Sequence, residues 1–90
     1  MDIGNTYTLN PDRVVIYTTS SCGDCQMAKA WFQQRNVAYI EVNLEEDPVA
    51  ETFIKQFTSG FASVPLIIFP DGSVLVEPSL QELSAKFSDS

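Results

Sequence analysis

Val14-Val15-Ile16-Tyr17-Thr18-Thr19-Ser20-Ser21-Cys22-Gly23-Asp24-Cys25 is the stretch that decides how this chain folds. An apolar β-type run, residues 14–17, passes through a polar loop into two cysteines three positions apart. A helix-type run from Gln26 to Arg35 follows. These are the only two cysteines in 90 residues. A strand-to-helix turn is expected to set the first sulfur at a helix N-terminus. There, unpaired backbone N–H groups and the helix dipole stabilise a thiolate. The second sulfur is expected one turn deeper, within reach of the first. That is the arrangement of a dithiol redox site.

Working outward, Met27, Ala28, Trp31 and Phe32 recur at helical spacing and predict a buried stripe on the helix after the cysteines. Ala38-Tyr39-Ile40-Glu41-Val42 alternates and predicts a second strand. Asp47-Pro48 opens a second helix with an N-cap residue and a first-turn proline. Phe53, Ile54 and Phe57 supply its apolar face. After a loop at 60–63, Val64-Pro65-Leu66-Ile67-Ile68-Phe69 predicts a third strand. Asp71-Gly72 predicts a tight hairpin turn into Val74-Leu75-Val76. Ser79-Leu80-Gln81-Glu82 has capping-box spacing and opens a last helix through about Phe87. The order is β-α-β-α-β-β-α. Its first three elements form a right-handed parallel crossover, and its last two strands form an antiparallel hairpin. Residues 1–12 are polar and predict a mobile lead-in, so 13–90 is the folded domain.

Composition narrows the function. The formal net charge is −7, with no histidine. No basic cluster is available to displace counterions from phosphate, which argues against nucleic acid as a partner. No apolar stretch is long enough to span a membrane, and no secretion signal stands at the N-terminus. The expectation is a cytoplasmic monomer. In that compartment a structural disulfide is disfavoured, and a pair this close is a poor staple. Redox chemistry or metal binding remain as reasons for the cysteines, beside the plain alternative of two inert core thiols. Two thiolates without histidine cannot complete a four-ligand site, which leaves redox chemistry ahead.

Taken together, these residues resemble the glutaredoxin branch of the thioredoxin-fold family. The resemblance rests on 14–17 leading to Cys22-Gly23-Asp24-Cys25, on Ser63-Val64-Pro65 and on the Asp71-Gly72 hairpin, and it spans nearly all the chain from Arg13. Within the branch the chain is most similar to the mycoredoxins of actinobacteria and related groups. Tyr17-Thr18-Thr19-Ser20, Gly23, and Asp71-Gly72-Ser73 continuing to Pro78-Ser79 carry that likeness. The resemblance implies a three-layer α/β/α sandwich on a central four-stranded mixed sheet. It also implies a cis proline at Pro65 facing the thiols, with Val64 offering backbone N–H and C=O to an extended substrate. Two departures point away from glutathione. Gly23-Asp24 stands where many glutaredoxins have Pro-Tyr, and Val76-Glu77-Pro78 stands where many have Gly-Gly.

The implied activity is thiol-disulfide exchange. Cys22 is the nucleophile and Cys25 the resolving thiol. Gly23, Asp24, Val64, Pro65, Glu77 and Ser79 are the candidate substrate-binding residues. The substrates are S-thiolated or oxidised proteins. The co-substrate is a small thiol, of mycothiol type in preference to bacillithiol or glutathione, and no cofactor is tightly bound. Mycothiol has no carboxylate, whereas glutathione brings two toward Asp24 and Glu77. Asp24 has two equal readings, opposing the Cys22 thiolate or stabilising the helix start. Ser79 reads first as an N-cap and Glu77 as a solvated charge. Lys29 and Arg35 read as solvated charges, Trp31 and Phe32 as core. Phe61 reads equally as core or as an apolar rim, and hydroxyls of 18–21 are open to bonding near the sulfur. Two other functions stay open: a thioredoxin-like donor to protein disulfides such as that of ribonucleotide reductase, and an iron-sulfur carrier.

Overall fold

Side-chain alternation along β1 (Val14–Thr18) governs the architecture, as seen in a computed structural model that describes residues 11–88. Val14 and Ile16 point to one face of the sheet, and Val15 and Tyr17 point to the other. Both faces are therefore apolar, and both must be covered. The first face is covered by α1 (Gly23–Gln34) and α3 (Leu80–Ser88), through Ala28, Trp31, Phe32 and Leu83. The second is covered by α2 (Pro48–Ile54), through Ala50 and Ile54. This is the three-layer α/β/α sandwich that the resemblance implies.

The sheet has four strands, ordered β2-β1-β3-β4. β1 pairs in parallel with β2 (Tyr39–Asn43), with Ile16 opposite Glu41. It pairs antiparallel with β3 (Leu66–Ile68), which pairs antiparallel with β4 (Val74–Val76). The predicted third strand is trimmed at both ends. Pro65 lacks an N–H for the ladder. Phe69 leaves the ladder to open the turn, exchanging bonds with Ser73 and Gly72. That turn spans 69–73 and is wider than a two-residue hairpin. Gly72 takes φ 89° there, and the Asp71 carboxylate accepts from the Ser73 N–H.

Local chemistry sets the helix starts that the sequence predicts, while α2 ends at Ile54 and Phe57, expected on its apolar face, lies in the 3-10 turn that follows, 55–57. The Asp47 carboxylate accepts from the Ala50 N–H, and Pro48 fills the first turn of α2. Asn36 adopts φ 57° after α1, and the Val37 N–H returns to the Phe32 carbonyl. Ser79 and Glu82 exchange reciprocal bonds at the start of α3, at 3.1 and 2.8 Å.

Two expectations are corrected. Met27 is 52% exposed and so leaves the buried stripe. The helix presents a face, but the position of α3 decides how much of it is covered. Lys29 is not solvated: its side chain is 17% exposed and pairs with Glu41. Arg35 is exposed, as the sequence predicts, and its guanidinium lies over the Trp31 ring, 4.2 Å from the centroid. Of the predicted lead-in, Pro11 is buried and Asp12 exposed. The rest of the predicted lead-in, residues 1–10, lies outside the described residues.

Candidate active site

The turn from β1 into α1 builds the site. Cys22 is the N-cap of α1, with extended backbone, and Cys25 lies in its first turn. Their Cα atoms are 5.2 Å apart, and the two sulfurs form a disulfide. The Cys25 N–H donates to the Cys22 Sγ at 3.0 Å, so the first sulfur takes the place of a capping oxygen. A free backbone donor aimed at this atom would equally stabilise a thiolate there. Cys22 is partly exposed, while Cys25 is fully buried. The site is therefore polarised, with one sulfur accessible from solvent and the other reachable only through the first.

A second wall comes from 42 residues further on. The Val64–Pro65 peptide is cis, as the resemblance implies, and the Val64 carbonyl lies 3.9 Å from the Cys22 Sγ. The disulfide sulfur carries no proton, so this is a contact and not a hydrogen bond. Val64 is half-buried and Pro65 buried. The Pro65 carbonyl accepts from the Glu77 N–H at 2.7 Å, which ties this loop to the end of β4. Glu77 adopts φ 49° to make that bond.

The third part is a cleft of about 400 Å³ between α1 and the start of α3, lined among others by Asp24, Met27, Glu77, Ser79, Leu80 and Glu82. Asp24, Glu77 and Ser79 thus meet in one place, although sequence separates the first from the others by more than fifty positions. Ser79 serves as N-cap, with its hydroxyl oxygen accepting from the Glu82 N–H. A Cβ added to Gly23 would meet nothing within 4 Å, so this glycine answers no packing demand and leaves the space beside Cys22 open. Phe61, with two readings from sequence, is 69% exposed and so is not part of the core.

The loop that delivers Cys22 is fixed from β2. The buried Thr18 hydroxyl donates to Glu41 at 2.8 Å and not toward the sulfur. Asn43 donates to the Ser20 hydroxyl at 3.1 Å, and the Ser20 N–H donates to Glu45 at 3.4 Å. Sequence reading treats Glu41 only as one residue of the alternating strand 38–42. Its one signal is the alternation that puts it on the same face as Thr18, through the parallel register. The Lys29 ammonium beside Glu41 holds its carboxyl below the usual range, against the opposing cost of burial, and the Thr18 hydroxyl adds to the lowering. Among the described residues, no group of three or more histidine, cysteine or acidic side chains is placed to hold a metal ion. Nor is any helix among them long and apolar enough to cross a membrane.

Comparison with known proteins places this geometry in a family. A family model described as glutaredoxin matches residues 14–75. A protein of Mycobacterium tuberculosis (strain H37Rv) named as a glutaredoxin is 40% identical over 73 residues, covering 81% of this chain and 87% of that one. The glutaredoxin-like protein NrdH of Lactococcus lactis subsp. cremoris is 33% identical over 58 residues, covering 64% of this chain and 78% of its own. Among solved structures, the thioredoxin-like protein BC3987 superposes with a TM-score of 0.71 at 25% identity, covering 81% and 97% of the two chains. Glutaredoxin C1 of Populus tremula x tremuloides superposes at 0.68 and 19% identity, covering 96% and 84%, a likeness of fold. The fold is thioredoxin-like.

Proposed function

The chain belongs to the glutaredoxin family and is a thiol-disulfide oxidoreductase, and from that premise we propose that it reduces mixed disulfides between proteins and a small thiol of mycothiol type. The observation that carries the reading is the polarised Cys22–Cys25 disulfide, with its outer sulfur at the helix N-terminus facing the Val64 carbonyl. The Cys22 thiolate attacks the small-thiol sulfur of the mixed disulfide and releases the protein thiol. Cys22 then carries the small thiol. A second small thiol attacks that adduct and regenerates Cys22, or Cys25 attacks Cys22 and expels the small thiol, leaving the disulfide seen here.

Gly23 leaves room for the adduct. The backbone at Val64, before the cis Pro65, pairs with an extended substrate chain. Asp24, Glu77 and Ser79 line the cleft that receives the body of the small thiol. With Asp24, Glu77 and Glu82 on its walls and no base among its lining residues, this cleft suits a sugar-inositol body better than a dicarboxylate. The small thiol is a co-substrate, no cofactor is held tightly, and the protein works as a cytoplasmic monomer without nucleic acid or membrane.

A Cys25→Ser variant in a native lysate tests this, with mass spectrometry of the Cys22 adduct. A mycothiol adduct is the expected result, and a glutathione adduct overturns the assignment. The second reading, a dithiol donor to protein disulfides, is favoured by the likeness to NrdH and to BC3987. It requires both cysteines, so loss of all turnover in Cys25→Ser selects it. The iron-sulfur carrier has no feature of the site in its favour. A coloured, metal-containing protein after anaerobic purification would restore it.

A further inference from the structure

We propose that the Lys29–Glu41 ion pair sets the acidity of Cys25, and with it the rate at which Cys25 closes the disulfide on Cys22. The inference rests on the reading above that Cys25 is the resolving thiol. Cys25 is fully buried, and burial in a medium of low dielectric disfavours its thiolate. Lys29 follows four residues later on the same helix, one turn away, which places the two Cβ atoms roughly 5–6 Å apart. Of the chain's five bases it is the one within a turn of this thiol.

The pair is built rather than incidental. The Lys29 ammonium, 17% exposed, donates to Glu41 Oε2 at 2.8 Å. The same oxygen accepts the hydroxyl of the fully buried Thr18 at 2.8 Å. One carboxylate oxygen therefore joins the end of β1, the middle of β2 and the flank of α1, one helical turn after Cys25. The other charges at this end of α1 are acidic: Asp24 next to Cys25 in the chain, Glu77 and Glu82 with Asp24 on the cleft wall, and Glu45 at the Ser20 N–H. β1, β3 and the Val64–Pro65 loop add no charged side chain, and the Tyr17 phenol packs on the opposite face of the sheet.

The step that the pair governs balances without any outside oxidant. Cys25 gives its proton to solvent, and its thiolate attacks the Cys22 Sγ of the mixed disulfide. The Cys22–Cys25 bond forms as the bond from Cys22 to the small thiol breaks. The small thiol leaves as a thiolate and takes up a proton. Lys29 supplies positive charge to the attacking sulfur, and Glu41 limits that charge and holds it in place. Removing either half therefore moves the Cys25 acidity, in opposite directions. A purely structural pair would move it in one direction, whichever half were removed.

A two-phase reaction of the reduced, full-length protein with the chromogenic aromatic disulfide 5,5′-dithiobis(2-nitrobenzoate) reads both thiols. Attack by Cys22 releases the first nitrothiobenzoate, and closure by Cys25 releases the second. In Lys29→Met the pH midpoint of the second phase is expected to rise by about half to one unit, slowing closure at neutral pH by about threefold to tenfold. In the isosteric Glu41→Gln the midpoint falls and closure speeds up. The double variant returns toward the parent, and Lys29→Arg keeps the parent behaviour. The first phase stays within about twofold throughout, since the Cys22 Sγ is held by the helix N-terminus. Shifts of the same sign in the two single variants, or no shift, overturn the proposal while leaving Cys25 as resolving thiol. Absence of a second phase in the parent overturns that reading, and the proposal with it.

Discussion

Asp24→Asn is the perturbation that weighs charge against helix geometry at this site. Asp24 is exposed in the first turn of α1, two residues after the Cys22 sulfur at the N-cap. A carboxylate in that position lies roughly 6–8 Å from the sulfur, on helix geometry alone. At that distance, in water, two unit charges couple by about 0.4 of a pH unit. Salt near 0.1 M screens over about 10 Å and removes roughly half of this. The variant is therefore expected to lower the Cys22 pKa by about 0.2 to 0.4 units, with the larger value at low salt. A helix-stabilising role for Asp24 makes a different prediction: the variant would lower thermal stability and leave the thiol untouched.

The assay is the pH dependence of iodoacetamide alkylation of reduced Cys25→Ser protein, with and without Asp24→Asn, at two salt concentrations. Thermal melts of the same proteins accompany it. A Cys22 pKa that stays fixed, or rises, refutes the charge argument. A shift that ignores salt refutes the exposed, water-screened geometry from which the magnitude comes.

Three further outcomes follow from the packing. Ser79→Ala removes the cap oxygen that binds the Glu82 N–H and should cost about 1 kcal/mol, lowering Tm by roughly 4–8 °C; calorimetry decides, and an unchanged Tm would show the cap to be dispensable. Ile67→Ala empties a fully buried position between α1 and α3 and should cost about 2–5 kcal/mol in urea titration, so a cost below about 1 kcal/mol would contradict the packed core. The Lys86 ammonium holds the exposed Asp71 carboxyl below its ordinary value near 3.8, as Lys29 holds Glu41 below 4.5, so both favour the folded state above those values and that contribution is lost as pH falls. Melts should therefore drop on acidification, and Lys86→Met should flatten the drop; identical acid profiles in parent and variant would sink the Asp71 assignment.

Local sequence spacing carried most of the fold because most of it is local. A run such as 14–17, a CxxC at its end and a capping box at Ser79 each act within one turn or one strand, and their partners lie a few residues away. Where the reading failed, the deciding contact was distant. Met27 has the spacing of a buried residue, but the first turn of α3 stands off from it and leaves a cleft. Lys29 looks like any surface lysine until the parallel pairing of β2 with β1 brings Glu41 to it across twelve positions. Phe61 is left open by sequence between core and surface, and its exposure decides for the surface.

The amino-acid sequence by itself therefore determined the element order, the caps that start the second and third helices and the pair of sulfurs at the start of α1. Periodicity, caps and turn residues express themselves through bonds a few residues long. Only the tertiary structure decided what surrounds those sulfurs. The antiparallel approach of β3 sets the Val64 carbonyl opposite Cys22. The lie of α3 gathers Asp24, Glu77 and Ser79 along one cleft, and the register of β2 supplies Glu41 to Lys29. These are consequences of layers packing to bury apolar faces, and no spacing within a single element encodes them.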